Sequence, residues 1–436
     1  MKAKEIIFLI LIIVAGVFFY YAQTGKLHWE WNFDDHFYLS GEEYTFDESQ
    51  VFEPPFPPLL KIVNAHGNVE IQGTDEQRIT IAFQKKIWRK NEEEAKKVSK
   101  ELKLRINKDD RQFFISTNRD EFRRKNFETN FKITLPKNMD IEVENSYGLV
   151  NVFKVKNTTL NNRHGKITAS EIDGSLILQN SYENVEIENV LLDCQIENKH
   201  ANIIANSING KLRIDHRYGK IHLENISQDV TIDGAHTEVF GQKIGGAVEV
   251  KSSYEKITLF DVGPTKIYGH HSAVEVDGAK EFLEIRDSYE KIRLNNIQGN
   301  LTIDGKSLGV FGKKIVGKEI SIFSSYQNIE LAEFSGKTDI TLSHGDVVLE
   351  PSPLTHPISF NGRYSSIKLY WPRGERYPIE ARTKGGEITW KVSAELATEE
   401  ENEVSVIKAF LQEKEKPSIF LSTVYGDIRI EELLEE

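Results

Sequence analysis

Between residues 139 and 370 apolar and polar positions alternate in short bursts, each closed by a turn rich in Asn, Asp and Gly. Leu212-Arg213-Ile214, Val230-Thr231-Ile232, Val248-Glu249-Val250 and Leu301-Thr302-Ile303 are representative. A period of two places alternate side chains on opposite faces of a strand, apolar inward and polar outward. The turns carry Asp173-Gly174, Asn209-Gly210, Asp233-Gly234, Gly245-Gly246 and Asp304-Gly305, residue types that tolerate the positive φ of tight turns. Helical periodicity is absent through this stretch, so it reads as all-β.

One phrase recurs within the pattern: NSYGLVNV from Asn145, NRHGKITA from Asn162, NSYENVEI from Asn180. Its aromatic anchor is tyrosine at Tyr147, Tyr182, Tyr218, Tyr254, Tyr289, Tyr326 and Tyr364, and histidine at His164, His200, His236, His271 and His344, with Ser307 in place of one histidine. Neighbouring anchors lie about 18 residues apart and like anchors about 36, a spacing typical of stacked repeats that bury their apolar faces against one another. Past the anchor the two versions differ. Tyr phrases place a large residue at Val152, Ile187, Leu223, Leu259, Leu294, Leu331 and Leu369, where His phrases carry Ala169, Ala205, Gly241, Val276 and Gly312, with Leu349 as the exception. The preceding position is polar in every Tyr phrase and often apolar in His phrases, at Ile204, Phe240, Phe311 and Val348. The expectation is therefore a β-solenoid (β-helix) of about 18-residue half-repeats pairing into 36-residue units, one unit per coil. Tyrosines and histidines would then form two separate ladders on different faces.

Outside the array, residues 6–22 (IIFLILIIVAGVFFYYA) form an uncharged run preceded by Lys2 and Lys4. Its length is at the short end for a membrane-spanning helix, and the lysines place the N-terminus in the cytoplasm. No small-x-small cleavage site ends at Ala22, which favours an uncleaved signal anchor over a cleaved leader. Residues 1–22 are thus expected to be a transmembrane anchor. Residues 23–58 read as an extracytoplasmic spacer stiffened by Pro54-Pro55-Phe56-Pro57-Pro58. Residues 59–138 read as a small α/β cap, with strands at Ile79–Phe83, Arg111–Thr117 and Asn130–Leu135. Its helix, over Arg89–Leu104, sets Ala95, Val98 and Leu102 on one face. Residues 139–370 are the array, and 371–436 hold further repeats and a closing cap, since an open solenoid end exposes unpaired strand edges.

Asn64–Ile71 (NAHGNVEI), the helical segment, Phe131–Pro136 (FKITLP), Tyr218–Leu223 (YGKIHL) and Val424–Ile430 (VYGDIRI) together resemble the bacterial putative-adhesin family, repeat-built domains of the cell envelope. The resemblance covers roughly residues 59–430. It implies a β-helix with a surface or envelope role and carries over no catalytic residue. The chain departs from the commonest Gly-rich repeat of that family by placing Tyr and His at the anchors.

Composition narrows the function. The chain has 67 acidic against 55 basic residues, a net charge of -12, and a pI near 5.6, which argues against a nucleic-acid partner. A single cysteine, Cys194, provides neither an intrachain disulfide nor a Cys-based zinc site. A linear column of histidines does not converge on one point as metal ligands must. No cofactor is expected. Glu186, Glu238 and Glu275 sit at ordinary outward strand positions, and no nucleophile elbow or phosphate loop is present. The reading is a non-catalytic adhesion, binding or structural module. It would be anchored by one helix with the bulk of the chain outside the cytoplasm. Its partners would be the cell membrane and an envelope protein, a glycan or a second copy. An envelope-stress or signalling module and a carbohydrate-active enzyme on a β-helix are the alternatives. Ile204, Phe240, Phe311 and Val348 are the candidate partner surface, because contiguous exposed apolar residues mark interaction sites. The tyrosines are a candidate aromatic ladder.

Overall fold

The computed structural model describes residues 41–393, 396–401 and 403–433. The anchor expected over residues 1–22 lies outside the described residues. Among those described, no helix is long and apolar enough to cross a membrane.

The stack begins earlier than expected. Leu59–Val63 pairs in parallel with Asp140–Glu144, and Val69–Thr74 pairs in parallel with Val150–Val155. Residues 59–74 are therefore a coil of the stack, and Gln112–Thr117 and Phe127–Pro136, parallel to its other side, form a further level beyond it. Ile79–Arg89 runs antiparallel to Phe127–Pro136 on one side and to Glu42–Phe52 on the other. Residues 42–52 are thus a strand covering a sheet edge, and the reading of 23–58 as a spacer fails there. The alternation of Tyr44 and Phe46 suits strand pairing, and both pack on a second cluster of Ile87, Ala95, Leu102 and Phe127. The helix is shorter than expected, Glu92–Glu101, because Arg89 still belongs to a strand. The Asn91 side chain accepts from Glu94 N at 2.9 Å and caps the helix start.

Between residues 140 and 371 successive strands pair in parallel with residues about 18 positions away, as in Leu176↔Cys194, Val185↔Ile203 and Leu212↔Val230. One coil is therefore 18 residues, and the expectation of a 36-residue coil is corrected. The 36-residue period in the sequence comes from packing. Residues stacked in register are one strand spacing apart, about 4.8 Å; columns such as Val185↔Ile203↔Ile221 stack branched side chains throughout, and the two-coil period belongs to one column in which large and small residues interlock. That column alternates: Ala169↔Ile187, Ile187↔Ala205, Ala205↔Leu223, Leu223↔Gly241, Gly241↔Leu259. A Cβ built on Gly241 would sit 2.9 Å from Leu259 Cδ2, and one on Gly312 would sit 2.8 Å from Leu331 Cδ2. Large side chains lean into the space their small neighbours leave, so this column repeats every two coils while the backbone repeats every one.

At the C-terminal end chain order and spatial order part. Ile419–Val424 and Ile428–Glu432 lie directly on Ile358–Trp371, and Ile379–Lys384 and Ile388–Lys391 lie beyond them. The last coil of the chain is thus inserted beneath the one before it. Val404–Ala409 runs antiparallel along Ile379–Lys384, and Ala397–Glu401 along Val404–Ala409. A fully buried Trp371 donates from Nε1 to Glu375 O at 2.9 Å inside this closure. The two ends are therefore both capped by antiparallel strands, which blunt the parallel edge.

Candidate functional site: a ring-bearing edge and the groove beside it

The first four aromatic anchors, His66, Tyr147, His164 and Tyr182, each follow an asparagine two positions earlier whose side chain braces the turn. Asn180 is buried at the inside of its turn, and its Nδ2 donates to Gly165 O at 3.2 Å and Glu183 O at 2.9 Å. Asn64, Asn145 and Asn162 make the same type of bond to turn carbonyls. These bonds satisfy carbonyls that the turn cannot pair with backbone donors. They also fix the corner from which the next-but-one side chain projects. In the coils from His200 onward the anchor itself is left-handed, with φ of 60° at His200, 63° at Tyr218, 52° at His236 and 67° at Tyr254. For a non-glycine residue that conformation costs about 1–2 kcal/mol.

Stacking between coils offsets the cost. His66 lies on Tyr147 with ring centroids 4.5 Å apart, Tyr147 on His164 at 4.5 Å, and His164 on Tyr182 at 4.6 Å. The column continues through His200, Tyr218, His236, Tyr254 and His271 to Tyr289, nearly coplanar throughout. It resumes as Tyr326, His344, Tyr364 and Tyr425. Offset aromatic pairs at such distances contribute about 0.5–1.5 kcal/mol each. The expected two ladders are therefore one, because with 18 residues per coil both anchor types fall on the same edge. All seven tyrosines proposed as a ladder lie in this column, and each imidazole after His66 separates two phenols. Burial and the neighbouring Arg163 hold the His164 imidazole below its ordinary pKa. The one interruption is at Ser307.

Behind the edge, the buried corner column changes character along the stack. Asn198 is followed by His216, whose Nδ1 lies 3.0 Å from Asn198 O, and burial lowers its pKa. Four coils further on the same column holds Asp287, buried, with burial pushing its carboxyl up to about 6. Cys194 points into the core, and burial pushes its thiol up to about 12, leaving it unreactive. Among the described residues no three His, Cys, Asp or Glu side chains gather as a metal site would require.

The four apolar candidates Ile204, Phe240, Phe311 and Val348 do share one outward column, four residues past their anchors. They do not touch one another in sequence along it. The register reads Ile204↔His222, His222↔Phe240, Phe240↔Thr258, Arg293↔Phe311, Phe311↔Glu330 and Val348↔Lys368. A polar residue from a Tyr coil thus separates each apolar one from the next, and the column is not a continuous apolar strip. Phe240 lies flat on His222 with centroids 4.6 Å apart, a local contact. Phe311 and Val348 instead share a surface groove of about 410 Å³, whose walls carry Arg293 and Lys313 opposite Glu330 and Glu350. Gly312 stands in the wall where a Cβ would crowd Ile315 and Leu331. The outward acids considered for catalysis are ion-paired to lysines of adjoining coils: Glu186 to Lys166 at 2.6 Å, Glu238 to Lys220 at 2.8 Å and Glu275 to Lys256 at 2.6 Å. Such a surface can hold a partner by shape, stacking and charge pairing. The buried corner column and the charged groove were not anticipated, although the invariant placement of Asn two residues before the early anchors was a usable clue.

The family described as Toastrack DUF4097 matches residues 59–239. No curated protein matches the chain. Among solved structures, a putative cell adhesion protein from Clostridium sporogenes aligns at 12% identity over 89% of this chain and 100% of that one, with a TM-score of 0.16.

Proposed function

We propose that the chain, whose residues 59–239 match the family described as Toastrack DUF4097, is a non-catalytic, adhesin-like binding module that takes a macromolecular partner in the groove at Phe311. Residues 6–22 would hold it at a membrane, with the repeats outside the cytoplasm, where an extended rigid stack reaches away from the bilayer. The groove is the observation that carries this reading. It has the volume of an ordinary binding cleft, an apolar floor from Phe311 and Val348, and charges of both signs on its rim. It is built on paired strands, which hold such a surface more firmly than loops do.

The test is quantitative binding of the purified chain to membrane and wall fractions of the cells that produce it, beside a Phe311→Asp variant. At least a tenfold loss of binding is expected for the variant with an unchanged circular-dichroism spectrum. Equal binding by the variant would sink the proposal. Release of soluble fragments from a polysaccharide panel would replace it with the catalytic alternative.

A further inference from the structure

The interruption at Ser307 lies between two exposed phenol rings that the fold holds facing each other. Tyr289 is backed by His271 at 4.7 Å and 10°, and Tyr326 by His344 at 4.8 Å and 16°, and neither carries a stacked ring on the side of Ser307. Tyr326 is the most exposed tyrosine of the ladder, at 64%. Two coils separate the pair, roughly 10 Å. Everywhere else on the edge that interval is filled. His164 sits 4.5 Å from Tyr147 and 4.6 Å from Tyr182, and His344 sits 4.8 Å from Tyr326 and 4.9 Å from Tyr364. Here the floor is a serine.

The backbone does not collapse into the gap. Ser307 keeps the left-handed φ of 55° that the ring-bearing anchors adopt. Tyr289 N donates to Lys306 O at 2.9 Å, and Tyr326 N donates to Ser343 O at 2.7 Å. The buried Ser324 hydroxyl both accepts from Leu308 N at 3.1 Å and donates to Leu308 O at 2.9 Å. Strand pairing also runs on through Asp304↔Phe323 and Val310↔Ile329. The coil spacing at Ser307 is therefore that of the rest of the ladder, with a phenol on the coil to either side.

We infer that Tyr289, Ser307 and Tyr326 form a binding slot for one planar aromatic ring, an aromatic side chain presented by the protein partner that docks in the Phe311 groove. The ladder itself defines the ligand: five times over, the group seated between two tyrosines on this edge is an imidazole. The slot opens beside the groove, since Phe311 follows Ser307 by four residues and a Cβ on Gly309 would lie 3.5 Å from the Phe311 ring. This inference rests on the binding proposal only for the source of the ring. Uptake of a free ring by the slot is measured without any partner.

The probe is imidazole, titrated into the full-length chain and followed by ligand-observed NMR. Saturable binding with a Kd on the order of millimolar is expected, as for a fragment of this size. Ser307→His fills the slot with the protein's own ring and should weaken binding at least tenfold, while Ser307→Ala should leave it intact. His236→Ser, which opens a second slot between Tyr218 and Tyr254, should double the number of sites. Imidazole binding that is absent, or equally strong in Ser307→His, overturns the inference. So does saturable binding of methyl glucoside without binding of imidazole, which would make the slot a sugar site. Phe311→Asp should leave imidazole uptake unchanged, so failure of the groove and failure of the slot are read separately.

Discussion

Replacing Tyr218 by alanine or glycine separates what the ladder contributes from what its backbone costs. Tyr218 stacks on His200 at 5.1 Å and on His236 at 5.2 Å, and its own φ is 63°. Either substitution removes two ring contacts, about 1–3 kcal/mol in total. Alanine keeps the left-handed strain, so Tyr218→Ala is expected to lose nearly all of that amount. Glycine relieves strain of about 1–2 kcal/mol at an entropic cost of roughly 0.5–1 kcal/mol. Tyr218→Gly should therefore be more stable than Tyr218→Ala by about 0.5–1 kcal/mol, the reverse of the order expected at an ordinary strand position. Tyr218→Phe should match the native chain, because the exposed hydroxyl has no part in the stack.

The assay is urea unfolding followed by far-ultraviolet circular dichroism, compared at equal slopes. Solenoids can open in segments, so amide exchange over residues 200–236 should accompany it and show the same order locally. A glycine variant less stable than the alanine variant would refute the argument, since it would mean that the corner, not the ring, sets the conformation without strain.

Two further outcomes follow from the core. Asp287 is buried with His270 and Glu290 as its charged neighbours, and its carboxyl lies at about 6 against an ordinary 3.8. The folded-state value is the higher, so the native state holds a proton that the unfolded chain has released, and stability falls as pH rises from about 4 to about 6. Asp287→Asn should remove that dependence and gain roughly 3 kcal/mol at pH 7 and nothing at pH 4, read from denaturation midpoints at the two pH values. The second outcome concerns coil deletion. Removing residues 176–193 places Ala169 against Ala205 and His164 against His200, leaving a void that costs about 2 kcal/mol or more. Removing residues 176–211 restores the large-against-small order, so thermal unfolding should show the longer deletion to be the more stable chain.

Much of this architecture was legible because strand alternation and turn chemistry are local. Apolar triplets such as Leu212-Arg213-Ile214 and the Asp-Gly turns determined an all-β stack, and the anchors marked its edge. The coil length was misread because sequence period and backbone period differ here. Val152 and Ala169 look like members of unlike units, yet they are adjacent in one column, and only the register Ala169↔Val152 makes that visible. The strand Glu42–Phe52 was obscured by the proline run after it, since its pairing with Ile79–Arg89 is a contact between distant parts of the chain. Nor could sequence place the last coil beneath its predecessor, because Ile388 and Ile428 head nearly identical phrases that fit either level. Of the candidate site, the column of apolar positions was readable, but its division was not. Phe240 rests on His222, while Phe311 opens a groove, and the difference lies in what the adjoining coils carry.

Period doubling also accounts for where the binding features fall. Most His coils carry a small core residue, and in two of them an outward phenylalanine stands beside it, Phe240 next to Gly241 and Phe311 next to Gly312. Tyr coils carry a large aliphatic residue inside and a charged or polar residue outside, as at Leu294 with Arg293 and Leu331 with Glu330. Stacking the two types gives an outer face on which each apolar residue is bracketed by polar ones one coil away. At the coil of Ser307 the edge loses its ring while the face keeps its phenylalanine. The slot at Ser307 and the groove at Phe311 are consequently neighbours on one coil, walled by Tyr289 and Arg293 on one side and by Tyr326 and Glu330 on the other. A single substitution in an otherwise regular array, serine for histidine at the anchor, is enough to turn a structural ladder into a recess. The same 18-residue geometry that makes the stack rigid holds the recess open.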